Sequence, residues 1–273
     1  MNSADLRQRT IADFGQQWTR NPDNEGYYAS LALFEALFGE LVPGGALQGA
    51  SVADIGSGTG RIVGMLLAAG AKHVLAVEPS AAFDVLARNL EQVRDRVTLL
   101  RARGDELPPS GTLDWVFSVG VLHHIPEPEP VVRAAWHALR PGGQIAVWLY
   151  GREGNELYLA FASPLRRITA KLPDAVLEAL CGALNRPLSW YIAACRVAPL
   201  PMRAYMRDHL ARLTPAQRQL TIYDQLNPHH ARYYRRHEVE QLLRQAGFTD
   251  IRLHHHQGYS WTAVGRKPSA PTS

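Results

Sequence analysis

The sequence predicts a doubly wound α/β fold, and three observations carry that reading. Short β-branched runs alternate with helix-length segments between residues 51 and 149, which specifies a parallel sheet with helices on both faces. The first run passes directly into a glycine-rich turn and a helix. The last two runs are separated by only Gln257-Gly258-Tyr259, a connection that can join antiparallel strands alone. A chain of 273 residues, 46% hydrophobic and 20% charged, is long enough for one substantial core and a satellite subdomain, and it excludes disorder and fibrous repeats.

The N-terminal stretch reads as two helices, one through Asp13 to Trp18 and one from Tyr27 to Leu41, where Leu31, Phe34, Leu37, Phe38 and Leu41 recur at helical spacing. Pro43-Gly44-Gly45 ends the second. Five strands follow, at Ser51–Ile55, Lys72–Glu78, Val97–Leu100, Asp114–Ser118 and Gln144–Leu149, with helices at Arg61–Ala69, Ser80–Val93 and Val131–Leu139. The alternation then stops for a helical, arginine-rich, proline-punctuated segment. It resumes with a helix at His237–Ala246, closed by Gly247, and a hairpin of Ile251–His256 and Ser260–Val264. The domain reading is an N-terminal helical cap at 1–44, a core at 45–150 and 236–267, a helical lid inserted at 151–235, and a fraying tail at 268–273.

Net charge is only +4, but 13 Lys+Arg face 6 Asp+Glu between residues 151 and 236 while 16 face 19 elsewhere. The positive charge therefore sits in the inserted segment. Two cysteines, Cys181 and Cys195, make no disulfide framework. With no apolar run in the first ten residues, and the stretch Tyr191–Met202 broken by Arg196 and two prolines, neither a secretory leader nor a membrane span is expected, and a cytoplasmic setting is.

The residues that point to chemistry lie at one edge of the predicted sheet. Val52-Ala-Asp54-Ile-Gly56-Ser57-Gly58-Thr-Gly60 is a strand followed by glycines at every second position and then a helix. Glycines let the backbone turn sharply and approach a ligand, and the helix start offers unpaired N–H groups to an anion. The spacing is not the G-x-G-x-x-G of dinucleotide enzymes. Glu78 ends the second strand, where a carboxylate can accept from two ribose hydroxyls, and Gly104-Asp105-Glu106 follows the third. Asp105 also reads as an ordinary turn aspartate.

In these motifs the sequence resembles the class I S-adenosylmethionine-dependent methyltransferases, whose sheet is Rossmann-like. VADIGSGTG looks like their first motif, Glu78 like their ribose-binding acid, Gly104-Asp105 like their adenine-side acid, Ser118-Val119 through Pro126 like the segment after the fourth strand, and Arg140-Pro-Gly-Gly143 like the turn before the fifth. The resemblance covers about residues 47–150 and 237–267 and implies S-adenosyl-L-methionine as cofactor. It places the glycine loop on the methionine part, Glu78 on the ribose and Asp105 on the adenine amino group. It implies little about the acceptor.

A sulfonium methyl is already activated, so the protein mainly aligns an acceptor and excludes water, adding a base only for a poor nucleophile. His123 and His124, just past the fourth strand, suit that role at neutral pH; packing is the alternative for either. Trp18 and Tyr28, with Phe14 and Tyr27, can close over the cofactor or serve as helix core. Tyr223, Asp224 and Tyr233, in the stretch Tyr223–Pro228 and just after it, can line an acceptor pocket. His254 and His256 share a strand face without a third ligand, so no metal is expected. The expected acceptor is a small or medium-sized metabolite, with an acidic or lipid-linked molecule or an anionic membrane surface fitting the basic, apolar lid, and no DNA. The rivals are an RNA methyltransferase, a nicotinamide-dependent oxidoreductase, and a non-catalytic relative that binds a partner through the lid.

Overall fold

The computed structural model describes residues 2–169, 171–227 and 230–269. Seven strands, β1 (Ser51–Ile55), β2 (His73–Val77), β3 (Val97–Leu100), β4 (Leu113–Val119), β5 (Leu139–Tyr150), β6 (Thr249–His256) and β7 (Ser260–Arg266), form one sheet in the order β3-β2-β1-β4-β5-β7-β6. The first five are parallel; β7 runs antiparallel to both β5 and β6. The strand order reverses between β1 and β4, and in open α/β sheets ligands bind in the crevice outside the carboxyl ends at that point.

The period of two along each strand sorts the core onto the two faces. Val52, Val74, Trp115 and Phe117 pack with α2 (Leu31–Phe38) and α3 (Arg61–Ala68). Ala53, Val116, Ile145 and Val147 pack with α5 (Glu129–Ala138) and α9 (Arg236–Gln245). Helix α1 is Ser3–Arg20, capped by the Asn2 side chain accepting from the Asp5 N–H, and α4 is Phe83–Asn89.

Four elements differ from the sequence reading by more than two residues. Helix α1 begins ten residues earlier than its apolar signature at Asp13–Trp18, because its N-terminal turns are polar and carry little periodicity. The helix expected at Tyr27–Leu41 divides into a 3₁₀ turn at Gly26–Ala29 and α2, because Ser30 adopts extended backbone and caps α2 by accepting from the Leu33 N–H. The helix expected at Ser80–Val93 shortens to α4 plus a 3₁₀ stretch at Glu91–Arg96. Arg140–Gly143 is an irregularity inside β5, with the register jumping from Leu113↔Leu139 to Trp115↔Gln144.

Between β5 and α9 lie α6 (Glu156–Thr169), α7 (Asp174–Val197) and α8 (Pro215–Leu226). This segment leaves and re-enters the sheet at adjacent points. Gly151 bridges Tyr234 in parallel, with the Tyr234 N–H donating to Tyr150 O (2.8 Å) and the Arg152 N–H to Tyr234 O (2.9 Å). Of the tail, residues 270–273 lie outside the described residues, as does Pro228 of the polar stretch. No helix among the described residues is long and apolar enough to cross a membrane.

Candidate functional site

The glycine turn is built by local geometry. Gly56 has φ +76°, and a Cβ there would lie 2.5 Å from Val121 Cγ2, so both backbone and space require glycine. The N–H groups of Gly56 and Ser57 donate to Val77 O (2.8 and 3.1 Å), clamping the turn to the end of β2. That brings the Gly58 N–H to Glu78 Oε2 (2.8 Å). Glu78 is 5% exposed, and its Oε1 accepts from the Ser80 N–H (2.9 Å) and the Ser80 hydroxyl. A carboxylate has about four acceptor directions, so one face of Glu78 remains for a ligand.

Asp54 precedes the turn and is 1% exposed. Burial pushes its carboxyl up to about 7, against the opposing pull of Ser57 and Arg61. Its Oδ2 has no hydrogen-bond partner among the described residues.

Asp105 is held by arginines. Arg103 donates from Nε to Oδ1 (3.0 Å) and from Nη2 to Oδ2 (3.2 Å), and Arg7 Nη1 reaches Oδ2 at 3.5 Å. Partial burial alone would raise this carboxyl, but the arginines outweigh it and hold it below the usual range. Arg7 also meets Glu127 at 3.5 Å, which fastens α1 to the sheet edge. Glu106 turns back to accept the Arg103 N–H (2.8 Å).

Helix α1 crosses directly over the turn. A Cβ on Gly15 would lie 2.9 Å from Ser80 Cβ, and the Trp18 indole lies 3.5 Å from where a Gly58 Cβ would be. Beyond α1, the Asn24 amide and Thr59 exchange hydrogen bonds of 2.7 and 2.6 Å. Arg61, at the start of α3, stacks on the Tyr28 ring at 4.2 Å and donates to Tyr28 O.

On the other side the inserted helices contribute a polar aromatic cluster centred on Gln225. Its Oε1 accepts from the hydroxyls of Tyr158 (2.9 Å) and Tyr233 (3.0 Å), and its Nε2 donates to Tyr150 Oη (2.9 Å). Arg166 donates to Tyr233 Oη (3.0 Å) and to Gln225 O (2.7 Å). Tyr150 therefore accepts within the cluster and keeps its own proton free to donate. Burial, with Asp224 nearby, holds that phenol well above its ordinary pKa, so it is a donor and not a base. Asp224 accepts from the Gln17 amide, and burial pushes its carboxyl up to about 6.

The two histidines after β4 occupy different places. His124 Nδ1 lies 2.9 Å from His230 O; a carbonyl only accepts, so Nδ1 carries the proton and Nε2 keeps a lone pair. Burial lowers its pKa to about 4. His123 is fully buried, with both ring nitrogens unpartnered among the described residues, and it stacks on Tyr150 with ring centres 3.8 Å apart. Burial, with His124 beside it, lowers its pKa well below the ordinary value.

A single cavity of about 1030 Å³ joins these parts. Of the residues singled out from sequence, Gly56, Ser57, Gly58, Glu78, Asp105, Val119, His124, Trp18, Tyr28, Asp224 and Tyr233 line it. Asp54, Gly60, Ser118, His123 and Tyr223 stand behind the lining, and Glu106 faces solvent outside it; Tyr223 packs with Leu177, Cys181 and Leu226. His254 and His256 lie 6.3 Å apart on β6, and no group of three or more metal-ligating side chains occurs among the described residues. Sequence reasoning missed Tyr150, Tyr158, Tyr205, His209 and Tyr259, while Gln225 falls within the stretch Tyr223–Pro228 that it singled out. Only Tyr150 had a signal, since it ends a strand at the ligand-binding edge.

Comparison with known proteins agrees with this construction. Residues 53–147 match the family model described as a methyltransferase domain. A tRNA U34 carboxymethyltransferase of Shewanella sediminis is 30% identical over 150 residues, covering 52% of this chain and 44% of that protein. The chain thus spans less than half the length of that curated relative. Among solved structures, Haemonchus contortus phosphoethanolamine N-methyltransferase 2, in complex with S-adenosyl-L-methionine, aligns over 98% of this chain and 60% of its own, with TM-score 0.56 and 14% identity. A SAM-dependent methyltransferase from Aquifex aeolicus aligns over 92% and 97%, with TM-score 0.52 and 14% identity. Likeness at these identities concerns the fold.

Proposed function

We propose that this chain, which carries a class I S-adenosylmethionine-dependent methyltransferase domain, moves the methyl group of S-adenosyl-L-methionine to a small or medium-sized metabolite enclosed beneath its inserted helices. The observation that carries the reading is the continuous cavity of about 1030 Å³, walled by the glycine turn on one side and the Gln225 cluster on the other. Ligand pockets run to roughly 300–1000 Å³, so this volume suits a cofactor together with an acceptor.

The glycine turn, Glu78 and Asp105 fit the cofactor: the turn excludes side chains, Glu78 has acceptor capacity left, and the 3.5 Å contact from Arg7 to Asp105 is long enough to yield to an amino group. Bound there, the cofactor supplies an electrophilic methyl on a sulfonium. The chain's own residues bind, orient and exclude water. Trp18 and α1 cover the turn, Tyr150 donates a hydrogen bond to the acceptor, and α6–α8 act as the lid. Where the acceptor must lose a proton, His124 Nε2 takes it, neutral throughout the physiological range because of burial. His123 supports this arrangement from behind by fixing the Tyr150 ring.

A second reading, tRNA as the acceptor, is favoured by the curated relatives named tRNA U34 carboxymethyltransferase. One experiment separates the two. The protein is incubated with methyl-labelled S-adenosylmethionine and, in parallel, total tRNA or a nucleic-acid-free metabolite extract. Label entering the metabolite fraction is the expected result; label entering tRNA alone would replace the first reading with the second.

A further inference from the structure

We propose that the outer face of α7 is a docking surface for an anionic phospholipid bilayer. Val176, Ala183, Trp190 and Val197 recur at every seventh residue, two helical turns apart, and so point the same way. All four are exposed, Trp190 by 77% and Val197 by 87%. Leu177, Cys181, Ile192 and Cys195 form the opposite, buried stripe, packed against α8 and residues 205–213. The helix thus has a complete internal partner on one side and an unpartnered apolar face, with a tryptophan in its middle, on the other. Interfacial helices combine such a face with basic residues.

The charge chooses the occupant. Arg186 lies within the exposed stripe and Arg196 beside it, and neither side chain meets an acid among the described residues. Glu178 is already paired with Arg20 at 3.0 Å. A second copy would set this basic face against its own like, whereas anionic headgroups neutralise it. No described helix can cross the bilayer, so the contact is peripheral.

The cavity points to the same face. Leu165 of α6 and Leu184 of α7 line the cavity and are also 42% and 37% exposed. Ile168, one turn beyond Leu165, is 65% exposed. At Leu184, next to Ala183 on α7, the apolar lining therefore reaches the surface beside the docking stripe.

The test is co-sedimentation of the full chain with vesicles. At low salt, partitioning onto vesicles of equal parts phosphatidylglycerol and phosphatidylcholine is expected to exceed that onto pure phosphatidylcholine by about tenfold or more. Trp190→Ser with Val197→Ser should lower it by at least about tenfold. Arg186→Gln with Arg196→Gln should remove most of the preference for the anionic lipid. Both pairs lie on the outer surface and should leave the melting temperature and S-adenosylhomocysteine affinity unchanged, so this test can fail without touching the methyl-transfer reading. Absence of binding to the anionic vesicles, or binding that ignores the Trp190/Val197 pair, would overturn the proposal. So would a dimer in sedimentation velocity that the same pair dissolves.

Discussion

The two walls of the cavity are built by different means. On the sheet side, the ligand-facing groups belong to a turn whose shape follows from consecutive residues: Gly56 at φ +76°, two N–H groups on Val77 O, and a third on Glu78. On the helical side, the groups that meet at Gln225 come from Tyr150, Tyr158, Arg166 and Tyr233, which are joined only by tertiary packing. The first wall is a backbone device with side chains added; the second is a side-chain network with no backbone signature. The sheet wall should therefore govern cofactor affinity, and the helical wall should govern the acceptor and part of the stability.

The sharpest way to break this division is at Gly56. Alanine there meets both the left-handed backbone penalty and the Val121 clash, together about 2–5 kcal/mol. Chemical denaturation and S-adenosylhomocysteine titration should both register the loss. Glu78→Ala comes next. It removes charge-assisted bonds and should weaken S-adenosylhomocysteine binding by about 1.5–3 kcal/mol; an unchanged dissociation constant would place the ribose elsewhere.

Gln225→Leu probes the other wall. It takes a partner from three tyrosine hydroxyls, costing about 1–3 kcal/mol of stability, yet S-adenosylhomocysteine affinity should stay within about twofold. A large loss of cofactor affinity would show that the walls are not separable.

The pH dependence of stability is the net of opposing buried groups. Burial lowers His124, His209 and His256 to about 4, and His123 and His230 are lowered as well. Between the ordinary value of 6.5 and about 4 the unfolded chain binds these protons and the fold does not, so stability should fall as pH falls through that window. Asp54 and Asp224, raised to about 7 and about 6, pull the other way. Five histidines against two carboxyls set the sign. Melting temperatures measured from pH 7 to pH 4 should decline, and a rise would show that the carboxyls dominate. For the same reason an acidic limb in a rate profile, if His124 is the base, belongs near 4 and not near the ordinary histidine value.

The contrast between the walls also explains what was legible in the sequence. The parallel sheet with its terminal hairpin, the glycine turn, Glu78 and Asp105 could be read because local spacing and the sheet-edge rule place them without knowledge of packing. The helical character of the inserted segment could be read from its composition, and Asp224 and Tyr233 as pocket residues from the polar aromatic stretch at its end, but the hydrogen-bond network around Gln225 could not. Gln225 looks like any polar residue near the end of an amphipathic helix, and only the return of the chain beside Tyr150, through the Gly151–Tyr234 bridge, makes it a hub. His123 and His124 are adjacent in sequence and equivalent there. The turn after β4 sends one behind Tyr150 and the other to the cavity wall. Helix α1 shows the same limit: Asp13–Trp18 was readable as helix, while the closeness of Gly15 to Ser80 and of Trp18 to Gly58 depends on where the helix lies over the sheet.

Calorimetric titration of the intact protein with S-adenosylhomocysteine shows whether the sheet wall is a complete cofactor cradle that needs no acceptor. Saturable binding near one equivalent per chain is expected, weakened by Glu78→Ala and left nearly unchanged by Gln225→Leu. Folded protein that takes up no S-adenosylhomocysteine, or that binds it with Glu78→Ala making no difference, would contradict it.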